Sequence, residues 1–355
     1  MKLSIAIPVY NFANFIPETL NSIIGQEHGN TVEIVVTDGA STDRTPEVMA
    51  EFCSKYPNII YNRLPQKGGI DRDMASALEA THGEYVWLFS GDDIMHPGSL
   101  ATILGEIRSG DDIYICKHME CTGWMEPLFE YPVLEPDIPG VFDLSDPVQR
   151  LAYFKRAINS EAFFSFCSGL IIRRSTWDRV PLDENFVGSC WAHCARFFSL
   201  MPKGLRVNYL GRVLLSRRGE NDSFSDKGLV ERYKMQVDGF HDIVDAFFGQ
   251  NSPEAREVRR AIRYEIHPLM TLILKFLCYL HPKIEDKALL DRIVARAYQD
   301  PSWECIKVRL KYALIPSWVI RRKHNRECFA YDYPEAYKAD QAEKRKVYLG
   351  TLQQR

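Results

Sequence analysis

Trp87 to Asp93, WLFSGDD, closes an apolar run that begins at Tyr85 and breaks off in a small residue, a glycine and two carboxylates. Aromatic and branched residues over 85–89 suit a central strand buried on both faces. Ser90, Gly91, Asp92 and Asp93 would then leave the sheet at its carboxyl end, where open α/β sheets place their ligands. Adjacent carboxylates repel unless a cation lies between them or one keeps its proton. A hard divalent metal, Mg2+ or Mn2+, shared with substrate phosphates resolves that conflict. The alternative is a solvated turn in which Asp93 caps a helix near Pro97.

Outward from that stretch, short apolar runs alternate with amphipathic segments. Runs at 3–9, 32–37, 59–63, 85–89 and 113–116 read as strands, and 15–25, 45–56, 71–81 and 97–108 as helices. This alternation predicts an α/β fold with a doubly wound, mostly parallel sheet.

Polar residues gather at the expected strand ends. Pro8, Val9, Tyr10 and Asn11 close the first, and DGASTD at 38–43 follows the second. Ser41 or Asp43 suits a helix cap. Asp38 sits at the strand tip, where a carboxylate can accept from the imide N–H of uracil or the amino group of cytosine. Tyr10 either stacks on that base or packs under the sheet. In KGGIDRD at 67–73 the glycine pair permits close backbone approach, Asp71 can bond a base or ribose, and Arg72 can neutralise phosphate. A helix cap with a solvated ion pair is the competing reading.

Taken together, PVYN at 8–11, VVTDGASTD at 35–43, GGIDRDMASALEATHGEYVWLFSGDD at 68–93 and SGLIIRRS at 168–175 resemble, in order and spacing, a family 2 glycosyltransferase of the GT-A fold. The resemblance implies that Asp38 binds the nucleotide base. It makes Asp92 the retained carboxylate of a DXD motif, with Ser90 in place of the first aspartate and Asp93 or water completing the metal site. It places Pro8, Tyr10, Asn11, Gly69, Asp71, Arg72 and Gly91 around a nucleotide-sugar donor, and it implies inversion at the sugar carbon. The SGDD tip and GSCWAHC at 188–194 are most similar to bacterial O-antigen enzymes of the abequosyltransferase type, which transfer a 3,6-dideoxyhexose from a CDP-sugar to a lipid-linked glycan. The residues themselves leave CDP-, UDP-, GDP- and dTDP-sugars open.

The chain departs from the family at the general base. Where relatives usually carry a Glu-Asp pair, this sequence has Ser189 and Cys190. His193 falls on the same helical face as Cys190, and imidazole suits proton abstraction near neutrality. Glu161 and the pair Asp183, Glu184 are alternatives, and a purely structural histidine is the plain reading. Residues 117–148, with prolines at 127, 132, 136, 139 and 147, read as a loop bordering the acceptor. A helix at 151–165 and a strand pair around 206–215 follow. Arg217 and Arg218 open a glycine-containing stretch at 216–224 that suits either a lid over the diphosphate or a surface turn.

From about 227 the pattern is helical, at 229–249, 253–280, 284–299 and 335–349. The expected organisation is a catalytic domain over 1–226, with a nucleotide-sugar half 1–116 and an acceptor half 117–226, then a helical region over 227–355. Aromatic and basic residues alternate through 303–325, which suits a segment lying on anionic lipid or a helix packed on the catalytic domain with its basic face solvated.

Composition narrows the remaining classes. A net charge of -3 over 355 residues carries no global field for nucleic acid. The amino-terminal apolar run stops at Pro8, as a first strand does and a signal peptide does not. The run 269–280 is too short to span a bilayer. Nine cysteines without disulfide-framework spacing fit a reducing cytoplasm, or the cytoplasmic face of the inner membrane. Cys116, His118, Cys121 and Cys190, His193, Cys194 lack the paired CxxC of structural zinc. PVYNFANF is not the glycine-rich loop of a nucleotidyltransferase. A catalytically silent glycan- or nucleotide-sugar-binding module of the same fold is the alternative to an enzyme.

Overall fold

The structure, a computed structural model, describes residues 1–26, 31–221 and 227–316. The helix expected at 335–349 and the basic stretch past 316 lie outside the described residues. The first half runs β1 (Leu3–Val9), α1 (Ile16–Ile24), β2 (Val32–Asp38), α2 (Thr45–Lys55), β3 (Ile59–Arg63), α3 (Ile70–Glu79), β4 (Tyr85–Leu88), β5 (Ile94–Met95), α4 (Ser99–Glu106) and β6 (Ile113–Cys121). Then follow β7 (Pro127–Glu130), β8 (Gly140–Asp143), α5 (Pro147–Arg156), β9 (Leu170–Arg173), α6 (Arg174–Trp177), α7 (Ala192–Leu200) and β10 (Arg206–Arg217). The helices α8 (Leu229–Phe248), α9 (Pro253–Glu265), α10 (Pro268–Leu280), α11 (Lys287–Ala297) and α12 (Trp303–Leu314) close the described chain.

The strands form one mixed sheet in the order β3-β2-β1-β4-β9-β6-β10-β5. Its first four strands are parallel. β9 runs antiparallel to both β4 and β6, and β10 returns parallel to β6. The order reverses at β1, whose neighbours are β2 and β4, so a switch-point crevice opens where their carboxyl ends diverge.

Strand periodicity divides the core. On β1 and β4, Ile5, Ile7, Trp87 and Phe89 face a cluster holding Ile16, Leu20 and Ile23 of α1 and Leu100 and Ile103 of α4. Ala6, Val86 and Leu88 face the other side, with Met74, Ala77 and Leu78 of α3. That second cluster continues without a break through α7 into α8, α9, α10 and α11. The buried side of α12, Cys305, Val308 and Tyr312, joins it as well.

Four expectations need correction. β6 runs on to Cys121, and β7 and β8 pair with β6 and β10, so 117–148 is not simply a loop. The expected helix at 151–165 is α5, which starts earlier because Asp146 caps Val148 N, followed by a 3-10 turn at Ser160–Phe163. The helix expected over 253–280 is broken into α9 and α10, because Pro268 has no N–H to donate and forces His267 into extended backbone. The strand pair at 206–215 is the single strand β10, with register shifts between Tyr209 and Leu215.

Trp87 anchors the centre of the sheet. Its ring is fully buried, and its Nε1 donates to Ser168 O at 2.8 Å. Trp87→Ala is expected to cost about 3–5 kcal/mol, read as a lower urea midpoint with an unchanged slope; a loss below about 1 kcal/mol would contradict this packing.

Candidate active site

The tip of β4 is built by hydrogen bonds from distant elements. Ser90 N donates to Ser168 Oγ at 2.8 Å, and the same hydroxyl donates to Asp93 Oδ2 at 2.6 Å. Asp93 Oδ1 accepts from Arg218 N at 3.1 Å. Burial, reinforced by the charge of Asp92, pushes the Asp93 carboxyl up to about 7. Asp92 accepts from Ser90 Oγ and, at 2.7 Å, from Asn221 Nδ2. Gly91 is dictated by packing: a Cβ there would lie 2.7 Å from Val9 Cγ1 and 2.9 Å from Phe12 Cδ1.

Asp38 closes β2 on the far side of β1 and is fully buried. Its Oδ1 accepts from Ser41 N at 2.7 Å and its Oδ2 from Tyr61 Oη at 2.5 Å, with Arg63 Nε 3.9 Å away. Two of its roughly four acceptor positions are thereby used. Asn11, at φ 61°, ties the two loops together: its Oδ1 accepts from Thr42 N at 2.8 Å and Asp43 N at 3.2 Å, and its N donates to Ser41 Oγ at 2.8 Å. Pro8 lies in β1 opposite Thr37. Tyr10 is half-buried with Lys67 Nζ 3.5 Å from its ring centroid. Gly69 starts α3 at φ 86° with open space where a side chain would be. Sequence reasoning missed Asp73, whose carboxylate fills the space beside both Gly39 and Gly68 and accepts from Gly68 N at 2.9 Å. Its only signal was a second acid in the first turn of a helix.

Asp71, expected to contact a base or ribose, is held by protein contacts in this structure. Buried at 4% exposure, it accepts from Gly188 N at 2.8 Å, Cys190 N at 3.1 Å and Ala192 N at 3.0 Å. It therefore holds the segment where Ser189 and Cys190 replace the family's acids, with Cys190 at φ 74°. Arg72 pairs with Glu184 at 2.6 Å across an exposed surface, the solvated ion pair of the competing reading. Asp183 accepts from Asn185 N at 3.0 Å within its own turn.

The arginines of the expected lid are also engaged. Arg217 Nη1 donates to both oxygens of Glu120 at 2.8 and 3.0 Å. Arg218 is buried and donates to Asp92 O at 3.1 Å, Gly123 O at 2.9 Å and Glu18 Oε2 at 2.5 Å. They fasten the end of β10 beneath the tip; residues 222–224 of the expected lid lie outside the described residues.

His193 lies inside the protein at 4% exposure, with its Nε2 3.0 Å from Phe164 O. Burial lowers its pKa, against the opposing charge of Asp71. Glu161 stands on the 3-10 turn, its N donating to Asn159 Oδ1 at 3.0 Å and its Oε2 3.5 Å from His118 Nδ1.

Among the described residues, no three His, Cys, Asp or Glu side chains converge as a metal centre. Asp92 with the Ser90 hydroxyl does fit a hard divalent cation that takes its other ligands from phosphate and water. Asp93 fits less well, because both its oxygens are turned to Ser168 and Arg218 N.

Residues 4–164 match the family profile described as "Glycosyl transferase family 2". The chain is 30% identical over 285 residues to abequosyltransferase RfbV of Salmonella typhimurium, covering 79% of this chain and 85% of that protein. Among solved structures, S. aureus TarS in complex with UDP-GlcNAc aligns with TM-score 0.58 at 17% identity, covering 91% of this chain and 88% of that chain. The mannosyltransferase PcManGT from Pyrobaculum calidifontis in complex with GDP-Man and Mn2+ aligns with TM-score 0.51 at 16% identity, covering 98% and 84%. These likenesses share the mixed α/β sheet of the GT-A fold.

The elevated Asp93 carboxyl has a pH signature. A folded-state pKa above the unfolded value contributes stability that is complete below about pH 4 and is lost as pH rises through about 7. In metal-free buffer Asp93→Asn is therefore expected to gain stability relative to the wild type as pH rises from 5 to 8, read from urea midpoints. An unchanged difference across that range would contradict the assignment.

Proposed function

The chain belongs to glycosyltransferase family 2, similar within it to an abequosyltransferase, and from that premise we propose that it transfers a sugar from a nucleotide-sugar donor to a glycan acceptor. The observation that carries this reading is the placement of two buried carboxylates, Asp38 and Asp92, at the carboxyl ends of β2 and β4, on either side of β1 at the switch point of the sheet. In the proposed arrangement Asp38 accepts from the base, Tyr10 offers its ring to it, and Asn11 fixes the loop between them. The diphosphate then lies over Ser90, Gly91 and Asp92. A Mg2+ or Mn2+ held by Asp92 would supply positive charge against the leaving diphosphate. Arg218, donating to Asp92 O, keeps that carboxylate in place. The Mn2+ in the mannosyltransferase complex supports this cofactor, and the nucleotide sugars in both structural relatives support the donor class. The likeness to an abequosyltransferase supports a sugar of the abequose type; the further proposal is a CDP-linked 3,6-dideoxyhexose as donor, a lipid-linked surface glycan as acceptor and inversion at the sugar carbon.

We assign the membrane contact to α12. Trp303, Lys307, Leu310, Lys311 and Leu314 share one outward face, with Trp303 63%, Leu310 51% and Leu314 75% exposed. Apolar and basic groups together suit a peripheral seat on anionic lipid at the cytoplasmic face of the inner membrane. No described helix is long and apolar enough to cross a membrane. Co-sedimentation with vesicles containing anionic lipid, weakened by salt and by Trp303→Ser, is the expected result; equal recovery with neutral vesicles would overturn the contact.

A screen of CDP-, UDP-, GDP- and dTDP-sugars should reveal one donor that raises the melting temperature in the presence of Mn2+. With that donor, Asp92→Ala is expected to lower transfer by at least about 100-fold without unfolding the protein. Donor binding without turnover in the wild type would instead mark a catalytically silent binding module.

A further inference from the structure

Behind the Asp92 tip a chain of alternating charges runs from the end of β10 to the 3-10 turn. Arg217 grips Glu120 at 2.8 Å, Glu120 Oε2 lies 3.2 Å from His118 Nε2, and His118 Nδ1 lies 3.5 Å from Glu161 Oε2. The His118 imidazole is fully buried, stacked on Tyr131 at 4.9 Å and tilted against Phe166 at 4.4 Å between ring centroids. Among the described residues, the 3.5 Å ion pair with each other is the contact that His118 Nδ1 and Glu161 Oε2 make in place of a hydrogen bond. Glu161 itself is partly open, with 12% of its side chain exposed. A dry imidazole with one nitrogen aimed at an accessible carboxylate is an expensive arrangement to keep for packing alone.

The turn that carries Glu161 is held from below. Phe164, at φ 72°, ends it, and the Phe164 carbonyl is the group His193 Nε2 bonds at 3.0 Å. Ser160 N donates to the half-buried Glu265 at 3.0 Å. The same loop reaches the donor tip four residues later, where Ser168 bonds both Ser90 N and Asp93. One short segment thus spans the distance from the tip to Glu161.

We propose that Glu161 is the general base that takes the proton of the acceptor hydroxyl, with His118 as the residue that positions it and His193 as a support for its turn. This inference rests on the glycosyl-transfer reading above. In the step, the acceptor oxygen forms its bond to the anomeric carbon while its proton passes to the Glu161 carboxylate. The bond from that carbon to the diphosphate oxygen breaks, and its electron pair leaves with the nucleoside diphosphate. The carboxylate at 161 takes over the work that Ser189 and Cys190 cannot do.

The surroundings keep His118 charged. Burial opposes protonation of His118, but the carboxylates of Glu161 and Glu120 outweigh it and raise the imidazole to about 9, with Arg217 opposing them. Glu265 and Tyr131 are the other titratable groups facing this pair. Across the neutral range His118 is therefore a fixed cation beside Glu161.

The test compares wild type, Glu161→Gln and His118→Gln with the donor found by screening. Glu161→Gln is expected to lower transfer by about 10²-fold or more while binding the nucleoside diphosphate within about twofold of wild type. Losing the His118 cation should move the acidic limb of the kcat profile to higher pH by about one unit or more; a merely structural histidine would lower kcat evenly at every pH. Should His118→Gln not fold, Glu120→Gln weakens the same cation and is expected to move the limb in the same direction. Transfer by Glu161→Gln within about threefold of wild type, or an unmoved limb in the folded variant, overturns the assignment. A wild type that transfers from no nucleotide sugar overturns the glycosyl-transfer reading itself, which separates the two failures.

Discussion

Two neighbouring carboxylates cannot both be buried and charged at a strand end without donors to hold them, and the arrangement of the tip follows from that constraint. Asp93 gives both oxygens to the protein, one to Ser168 Oγ at 2.6 Å and one to Arg218 N at 3.1 Å. Asp92 is thereby turned the other way, toward Ser90 and Asn221. The division of labour draws in three remote segments: the loop before β9, the end of β10, and α1 through Glu18, which receives Arg218. Each must be in register for the Asp92 carboxylate to stand at the crevice. The Ser168 hydroxyl is the smallest joint in this system, since it satisfies a backbone N–H and a carboxylate together.

The same economy explains why so many polar groups near the crevice serve the chain. Asp71 satisfies three backbone N–H groups at the entry to α7, a region that holds the left-handed residues Gly188 and Cys190. Arg218 fills its guanidinium with two carbonyls and a carboxylate. The groups proposed for ligands are a small set: Asp38 and Tyr10 on one side of β1, Ser90 and Asp92 on the other, and Glu161 on the 3-10 turn before β9. The division into a base-binding side and a sugar side follows from the reversal of strand order at β1.

The first 116 residues were legible in the sequence because their elements are set by local period: β2 is buried along its whole length, and α1 puts Ile16, Leu20 and Ile23 on one face. Asp38 and Asp92 were legible as well, since a carboxylate directly after an apolar run marks a strand tip. β6 was cut short because Lys117, His118 and Glu120 look like loop residues. Lys117 and His118 are buried and Glu120 half-buried because each finds a counter-charge elsewhere, Lys117 on Glu130 at 2.8 Å and Asp137 at 2.6 Å. The protein partners of Asp71 were hidden for a related reason. Its sequence neighbours say only that it opens a helix, while its partner Gly188 lies 117 residues away. The pairing of Glu161 with His118 is likewise a product of sheet topology, and nothing in the spacing of the two residues announces it.

The central claim, that the crevice at β1 is a donor site with its base end at Asp38 and its phosphate end at Asp92, is tested most directly by a crystal structure with CDP and Mn2+. The account predicts the base edge within hydrogen-bond distance of Asp38 and the diphosphate over Ser90 to Asp92 with the metal on Asp92. A nucleotide bound away from this crevice, or one whose base leaves Asp38 untouched, would contradict it.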